Sequence, residues 1–315
     1  MKKSDLACLA ALAALWGASY LFMRVCAGEF GAMTLAGARA AIAAVLLLPL
    51  LAGDWSALRR HWKPVLLVGL TNSALPFVLF ALAALGINAS LSAIFNAATP
   101  LYAAVIGRVW LGEAIGRVRA AGLALGFCGV VWLAADGASF KPGAGAVTTG
   151  WAVLACVAAT MLYAFSAHFS KRYLATVPPL AVAAGSQLAA ALVLAPAAAA
   201  LHPTTLPSAR AWVALLCLGA LCTALAYVLF FRLIARVGAA KTMAVPFLVP
   251  AFGVLWGVLF LGETFTTAMA AGSALIVLGT ALASGLVNPA RPPAAHPLRR
   301  PGARPDANRR GRYRP

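Results

Sequence analysis

The chain alternates long apolar stretches with short polar ones. The apolar stretches fall near residues 6–26, 33–52, 63–84, 88–111, 118–135, 149–170, 178–200, 210–235, 239–261 and 268–288. Each is about as long as the ~20 apolar residues that a helix needs to cross a bilayer. The pattern therefore predicts an all-α integral membrane protein with ten transmembrane helices. The first stretch is too long for the core of a signal peptide and is interpreted as a span.

Part of this pattern occurs twice. Residues 62–129 and 212–279 match in register, and weaker matches extend the similarity upstream. Because each copy holds an odd number of predicted spans, the second copy must cross the membrane in the opposite sense to the first. We therefore predict two inverted five-helix repeats, residues 1–140 and 141–288. The matched positions include the pairs Trp62 and Trp212, Pro100 and Pro250, and Glu113 and Glu263.

The composition excludes a soluble domain, since 63% of the residues are hydrophobic and only 10% are charged. A net charge of +18 can indicate a nucleic-acid partner, but here the basic residues lie almost entirely on one side of the predicted membrane. The positive-inside rule then places both termini in the cytoplasm and accounts for the charge without nucleic acid. The basic residues that do not follow the rule are Arg24, Arg39, Lys141 and Arg210.

The last segment, residues 289–315, is rich in Pro, Arg and Ala and shows no apolar period. Such a composition is typical of a disordered segment. Two interpretations of this tail remain open. It either lies against the anionic headgroups of membrane lipids or is a solvated tail that helps to fix the topology.

The opening motif Trp16-Gly17-Ala18-Ser19-Tyr20, the arginine Arg39 and the duplicated Leu-Gly-Glu elements resemble the EamA-like transporters of the drug/metabolite transporter superfamily. The resemblance covers about residues 1–288. It implies a basket-like fold of ten helices around a central cavity. It also implies transport, often export, of amino acids or other small metabolites across the bacterial inner membrane. The second half departs from the family pattern, because Tyr163-Ala164 stands where Trp-Gly is expected.

Polar residues within the spans are the candidates for a substrate site. In the fourth span they form a stripe on one helical face, which predicts either a cavity lining or hydrogen bonds between helices. Asn96 is the best candidate of this stripe, because its amide both donates and accepts. The stripe consists of Asn88, Ser92, Asn96 and Thr99, and the further lining candidates are Trp16, Tyr20, Asn72, Tyr163 and Tyr227.

Arg39 lies almost two turns inside the outer end of the second span. A charge at such a depth is expensive and often functional. We expect it near the outer mouth of the cavity, where a guanidinium can bind a substrate carboxylate with two hydrogen bonds. The alternatives are that the side chain extends outward to water or pairs with Glu29.

Three prolines are candidate hinges, because a proline frees a backbone carbonyl and bends its helix. They are Pro100 in the fourth span and Pro246 and Pro250 in the ninth. Their simpler interpretation is a static kink. Glu113 and Glu263 each stand at a helix end, where we expect the N-terminal dipole of the following helix to stabilise the carboxylate.

These features predict a secondary transporter that exports small polar metabolites such as amino acids by alternating access. The rival interpretations are uptake of a sugar or another nutrient, and a membrane enzyme. An enzyme would need a His, Asp or Cys constellation near one membrane face, which the sequence does not display. We expect no cofactor and no metal, since a Walker element is missing and the six cysteines are scattered through the spans.

Overall fold

The computed structural model describes residues 2–51, 54–135, 149–242 and 244–284. Within these ranges, eight helices are long and apolar enough to cross a membrane, and two shorter apolar helices follow them. The prediction of an all-helical membrane protein is confirmed. The helices are α1 (Lys3–Phe30), α2 (Ala32–Leu51), α3 (Trp62–Gly86), α4 (Ala89–Leu111), α5 (Arg117–Ala135), α6 (Gly150–Tyr173), α7 (Pro179–Ala200), α8 (Ala209–Val237), α9 (Val245–Leu261) and α10 (Thr267–Ala283).

The two shorter helices coincide with the ninth and tenth predicted spans. Each has 17 residues, which is at the lower limit for crossing a bilayer. The ninth apolar stretch begins as a separate short helix, Ala239–Thr242, and α9 starts after it. The count of ten spans therefore remains a prediction. The predicted tail, residues 289–315, lies outside the described residues.

Helices from the first part of the chain, α1–α5, pack against helices from the second part, α6–α10. α2 lies along α7, and α5 lies along α10. α1 contacts α8 and α9, while α6 contacts α3 and α4 in the same way. α2 also contacts α8, and α7 contacts α3. If each helix is replaced by the helix five places further along the chain, counting on from α10 to α1, every pairing becomes another pairing in this set or itself.

The α5 and α10 helices approach each other at glycines. A Cβ atom at Gly122 would lie 2.8 Å from the carbonyl oxygen of Gly279. A Cβ atom at Gly279 would in turn collide with the backbone of Gly126. The two backbones are thus in direct contact, as small residues permit between helices in lipid.

Two of the spanning helices contain a segment of π-helix. The segments are Leu70–Ala74 in α3 and Cys217–Leu225 in α8, and they occupy matching positions of the duplicated sequence. Such wider turns are rare and frequently occur at functional sites. In α8 the wider turn is visible in the hydroxyl of Thr223, which donates to the carbonyl of Leu218 at 2.8 Å. Both segments lie next to the buried polar residues described below.

Candidate functional site

Arg39 lies at the centre of a buried cluster formed by four helices. Its guanidinium carbon is 3.8 Å from the centre of the Phe77 ring in α3. Nε donates to the hydroxyl of Thr223 in α8 at 2.9 Å, and Nη1 points to the sulfur of Met23 in α1 at 3.7 Å. Only 7% of the residue is exposed. The side chain is directed into the helix bundle, and Glu29 is engaged elsewhere by hydrogen bonds from Ser208.

An aromatic column stands beside this cation. The ring of Tyr20 in α1 meets the edge of Phe80 in α3 at 5.5 Å, and Phe80 stacks on Tyr163 in α6 at 6.0 Å. Both tyrosines are close enough to Arg39 to interact with its charge. The structure thus brings three of the predicted site residues together, although they come from three different helices.

Asn72 and Tyr227 form a second polar contact next to Arg39. The amide of Asn72 in α3 donates to the hydroxyl of Tyr227 in α8 at 3.1 Å. Asn72 belongs to the π segment of α3, and Tyr227 follows the π segment of α8. The two wider turns therefore position a hydrogen-bonded pair that links the two halves of the chain.

Trp16 and Asn96 flank this cluster. The Trp16 ring packs on Phe230 of α8 at 5.2 Å between ring centres. Asn96 is half-buried and lies close to Tyr20. Its stripe neighbour Thr99 donates to its backbone carbonyl at 2.7 Å. The rest of the stripe makes local bonds, since the Ser92 hydroxyl donates to the carbonyl of Asn88 at 3.2 Å.

The α4 helix is interrupted at the proline predicted to bend it. It runs as Ala89–Asn96 and then as Thr99–Leu111, with Pro100 in the first turn of the second piece. The interruption frees backbone carbonyls, and hydroxyl groups satisfy two of them. Thr99 donates to Asn96, and Thr280 of α10 donates to Ala97 at 3.1 Å. Non-helical backbone at membrane depth needs such partners.

The other two candidate hinges occupy different positions. Pro246 stands in the first turn of α9, where the absence of its N–H is tolerated. Pro250 lies inside α9, and the helix continues through it to Leu261. The matched prolines Pro100 and Pro250 therefore have different local structures.

Glu263 binds a helix other than the one expected from the sequence. Its carboxylate accepts the N–H groups of Ala89 and Ser90 at 2.7 and 2.9 Å, and the hydroxyl of Ser90 at 2.6 Å. These groups form the N-terminus of α4, whereas the following helix α10 is capped by Thr266. The expectation that Glu263 stabilises the next helix was wrong, because the tight turn at Gly262 folds its side chain back toward α4.

Glu113 follows the same turn at the end of α4. Gly112 and Gly262 have φ values of 69° and 64°, and the N–H of each following glutamate bonds to Gly107 or Gly257 at 3.1 Å. In the described part of the chain, the Glu113 carboxylate accepts no hydrogen bond from another helix. His168 of α6 lies nearby and donates through Nε2 to the carbonyl of Ala103 at 2.8 Å.

Several residues of the cluster were not singled out from the sequence. Phe77 lies under the guanidinium of Arg39, and Phe80 joins the two tyrosines. The duplication held a signal for the first, because Phe77 matches Tyr227 in register. The bonding of Glu263 to the start of α4 left no sequence signal, since it joins residues far apart in the chain.

The membrane helices thus bury a cation, aromatic rings and side-chain amides in one region. Groups of these kinds can bind a small molecule. The chain belongs to the EamA-like transporter family, whose model matches residues 5–135 and again residues 150–285. The chain is therefore a multi-pass membrane protein of a transporter family, as the sequence resemblance predicted. The family and the names of its relatives indicate a transporter rather than an enzyme.

Two relatives match over most of their lengths. The "Probable terminal-alkyne amino-acid exporter" of Streptantibioticus cattleyicolor is 26% identical over 90% of this chain and 95% of its own. The "Uncharacterized transporter YvbV" of Bacillus subtilis is also 26% identical, over 87% of this chain and 89% of its own. A solved crystal structure at 22% identity covers 91% of this chain and 98% of its own with a TM-score of 0.62, and it shares the fold.

Proposed function

We propose that the protein is a secondary transporter that exports small polar metabolites, foremost amino acids, across the bacterial inner membrane. The observation that carries the proposal is the Arg39 cluster. It places a cation, aromatic rings and hydrogen-bonding groups of both halves of the chain in one buried region. A buried ionisable residue within a membrane helix marks a functional site by default. The name of the relative from Streptantibioticus cattleyicolor supports amino-acid export.

The proposed architecture is ten spans in two inverted repeats, residues 1–140 and 141–288, with both termini in the cytoplasm. The symmetric pattern of helix pairing supports this arrangement. In transporters of this kind the substrate site lies at the interface between the repeats. The proposed substrate-binding residues are Trp16, Tyr20, Arg39, Asn72, Asn96, Tyr163 and Tyr227.

Alternating access would arise from rocking of the two repeats against each other, with bending at Pro100, Pro246 and Pro250. The three hydrogen bonds of Glu263 hold the two repeats together at the end where α4 begins. In the opposite state we propose that Glu113 takes the corresponding position at the short helix that begins at Ala239. The matched turns at Gly112 and Gly262 support this exchange.

The transport proposal is tested with purified protein in liposomes. We expect exchange or uptake of at least one amino acid from a panel that also contains sugars and nucleobases. Empty liposomes and liposomes with heat-denatured protein are the controls. Transport of a sugar alone would favour the rival uptake permease. Complete inactivity toward the panel would contradict the proposal.

The topology is tested separately with reporter fusions after residues 86, 141 and 288. The fusions at 86 and 141 should report the periplasm, and the fusion at 288 should report the cytoplasm. A periplasmic signal at residue 288 would refute the ten-span arrangement while leaving the transport assay unaffected.

A further inference from the structure

We infer that the transported molecule is a monocarboxylate whose amino group is not required, with Arg39 binding the carboxylate and the surrounding rings holding an apolar remainder. The inference rests on the proposed transport function and specifies which feature of the substrate the site recognises. An amino acid would then be accepted because it is a carboxylic acid, and its des-amino counterpart would be accepted as well.

Arg39 retains donors for a ligand. A guanidinium carries five N–H groups. The described contacts engage Nε and Nη1, and no protein partner of Nη2 is found among the described residues. Phe77 covers one face of the planar group. The N–H groups along the edge of a guanidinium are the part of an arginine that matches the two oxygens of a carboxylate.

The position of this edge is fixed before any ligand arrives. Thr223 accepts from Nε of Arg39 and simultaneously donates to the carbonyl of Leu218. The threonine is therefore held by the π segment of α8, and the guanidinium is held by the threonine and by the Phe77 ring. Such preorganisation reduces the entropy that binding would otherwise lose.

Among the residues that the structure describes, this region offers no acidic partner for an ammonium group. The ion pair found in the described residues joins Arg236 to Asp5 at 3.7 Å, near the start of α1. Each described carboxylate belongs to a helix end or a connection, so none can balance Arg39 or recognise a substrate amine at the cluster. The acidic residues in the described ranges are Asp5, Glu29, Asp54, Glu113 and Glu263, and Asp136 and Asp306 lie outside them.

The charge balance also limits the number of carboxylates. One buried cation compensates one negative charge, and a second uncompensated charge in a buried site is costly. Tyr20, Phe80 and Tyr163 pack ring against ring, and both tyrosines lie near the cation. The region is therefore suited to a monoanion with an apolar or aromatic body rather than to a dicarboxylate or a phosphate ester.

The test compares three molecules of nearly equal size in the liposome assay. They are the amino acid transported best, its des-amino acid and its decarboxylated amine; for phenylalanine these are 3-phenylpropanoate and phenethylamine. Each molecule is tested as a competitor of amino-acid transport. The inhibition constant of the acid should lie within about tenfold of that of the amino acid. The amine should be at least about 30-fold weaker, because it leaves the buried guanidinium without an anion.

Variants of two arginines separate binding from folding. Arg39→Gln should abolish the preference for the acid over the amine, whereas Arg24→Gln should retain it. Arg24 is a matched control, because it also lies in a membrane helix but donates to the carbonyl of Ala84 at 2.9 Å. Glutamine at either position removes one charge and keeps an amide donor.

Thermal unfolding of the purified protein supplies a readout that a merely structural arginine would not give. Arg39→Gln should be at least as stable as the parent without ligand, since it removes a buried charge without an acidic partner. 3-Phenylpropanoate should raise the melting temperature of the parent and of Arg24→Gln but not that of Arg39→Gln. If Arg39→Gln does not fold, Arg39→Lys takes its place, with weaker but detectable acid preference.

The outcomes distinguish this inference from the proposed function. Amino-acid transport with an amine that competes as well as the acid would overturn the inference and leave the transport function intact. Unchanged acid preference in Arg39→Gln would do the same. Inactivity toward every compound of the panel would instead overturn the proposed function itself.

Discussion

The segments 95–113 and 245–263 are similar in sequence but differ in structure. Each contains a matched proline and ends in the same Leu-Gly-Glu turn. Yet α4 is interrupted just before Pro100, while α9 begins just before Pro246 and passes through Pro250 without a break. Glu263 bonds to the start of α4, whereas Glu113 accepts no such bond within the described residues. The duplicated sequence thus gives the same turn twice, while the contacts that follow each turn differ.

The largest expected difference between the two segments concerns their glutamates, which can be neutralised one at a time. Glu263→Gln should lower the free energy of unfolding by about 2–3 kcal/mol, because it weakens two backbone bonds and one hydroxyl bond to a carboxylate. Glu113→Gln should change it by less than about 1 kcal/mol. Denaturation of the two purified variants in the same detergent measures the difference. Equal losses would show that the two ends are equivalent.

A second test concerns Asn96, whose matched residue in the second half is Pro246. Asn96→Ala should reduce transport at least about tenfold, since it removes the polar group beside Tyr20 at the end of the first piece of α4. His168→Ala should largely retain transport, because its ring bonds to a backbone carbonyl away from the cluster. The assay is initial-rate exchange, normalised to the amount of protein in the membrane. Full activity of Asn96→Ala would indicate a packing residue.

The smallest expected effect is at the interruption of α4. Thr280→Val removes the hydroxyl that bonds to the freed carbonyl of Ala97 and should cost about 0.6 kcal/mol, as for other hydrogen bonds between membrane helices. Ser273→Ala is the matched control, because that exposed hydroxyl bonds only within α10. Thermal unfolding compares the two variants. If Ser273→Ala is destabilised as much as Thr280→Val, the hydrogen bond from Thr280 does not specifically stabilise the interruption of α4.

The helices could be predicted from the sequence because a helix that crosses a bilayer needs about 20 consecutive apolar residues. The length of the apolar stretches located the helices. The arrangement of these helices as two inverted repeats stays a prediction. The π segments escaped prediction, since residues 70–74 and 217–225 look apolar and helical in either form. Only Pro76, next to the first segment, gave an indirect sign of irregular backbone.

Sequence reasoning singled out Arg39, Asn72 and Tyr227 because each is a polar residue in an apolar span, and the structure places them near one another. Their role as a substrate site stays a prediction. Phe77 was missed, because only its match to Tyr227 in the duplicated sequence distinguishes it from the other phenylalanines in the spans. The partner of Glu263 could not be found either, since a backbone N–H group has no sequence signature.

The π segment of α3 also makes the position of Phe77 depend on the number of residues in this turn. A π turn holds one residue more than the α-helical turn it replaces. If all five residues of Leu70–Ala74 adopted α-helical geometry, the first part of α3 would rotate against its second part by about 100°. Phe77 would then face away from the guanidinium although every side chain near it was unchanged. Deleting one residue within the segment would instead allow an α-helical turn that keeps the two parts of α3 in register. Homologues that are one residue shorter at this point should therefore have a regular α-helix here and keep the same residues facing the arginine.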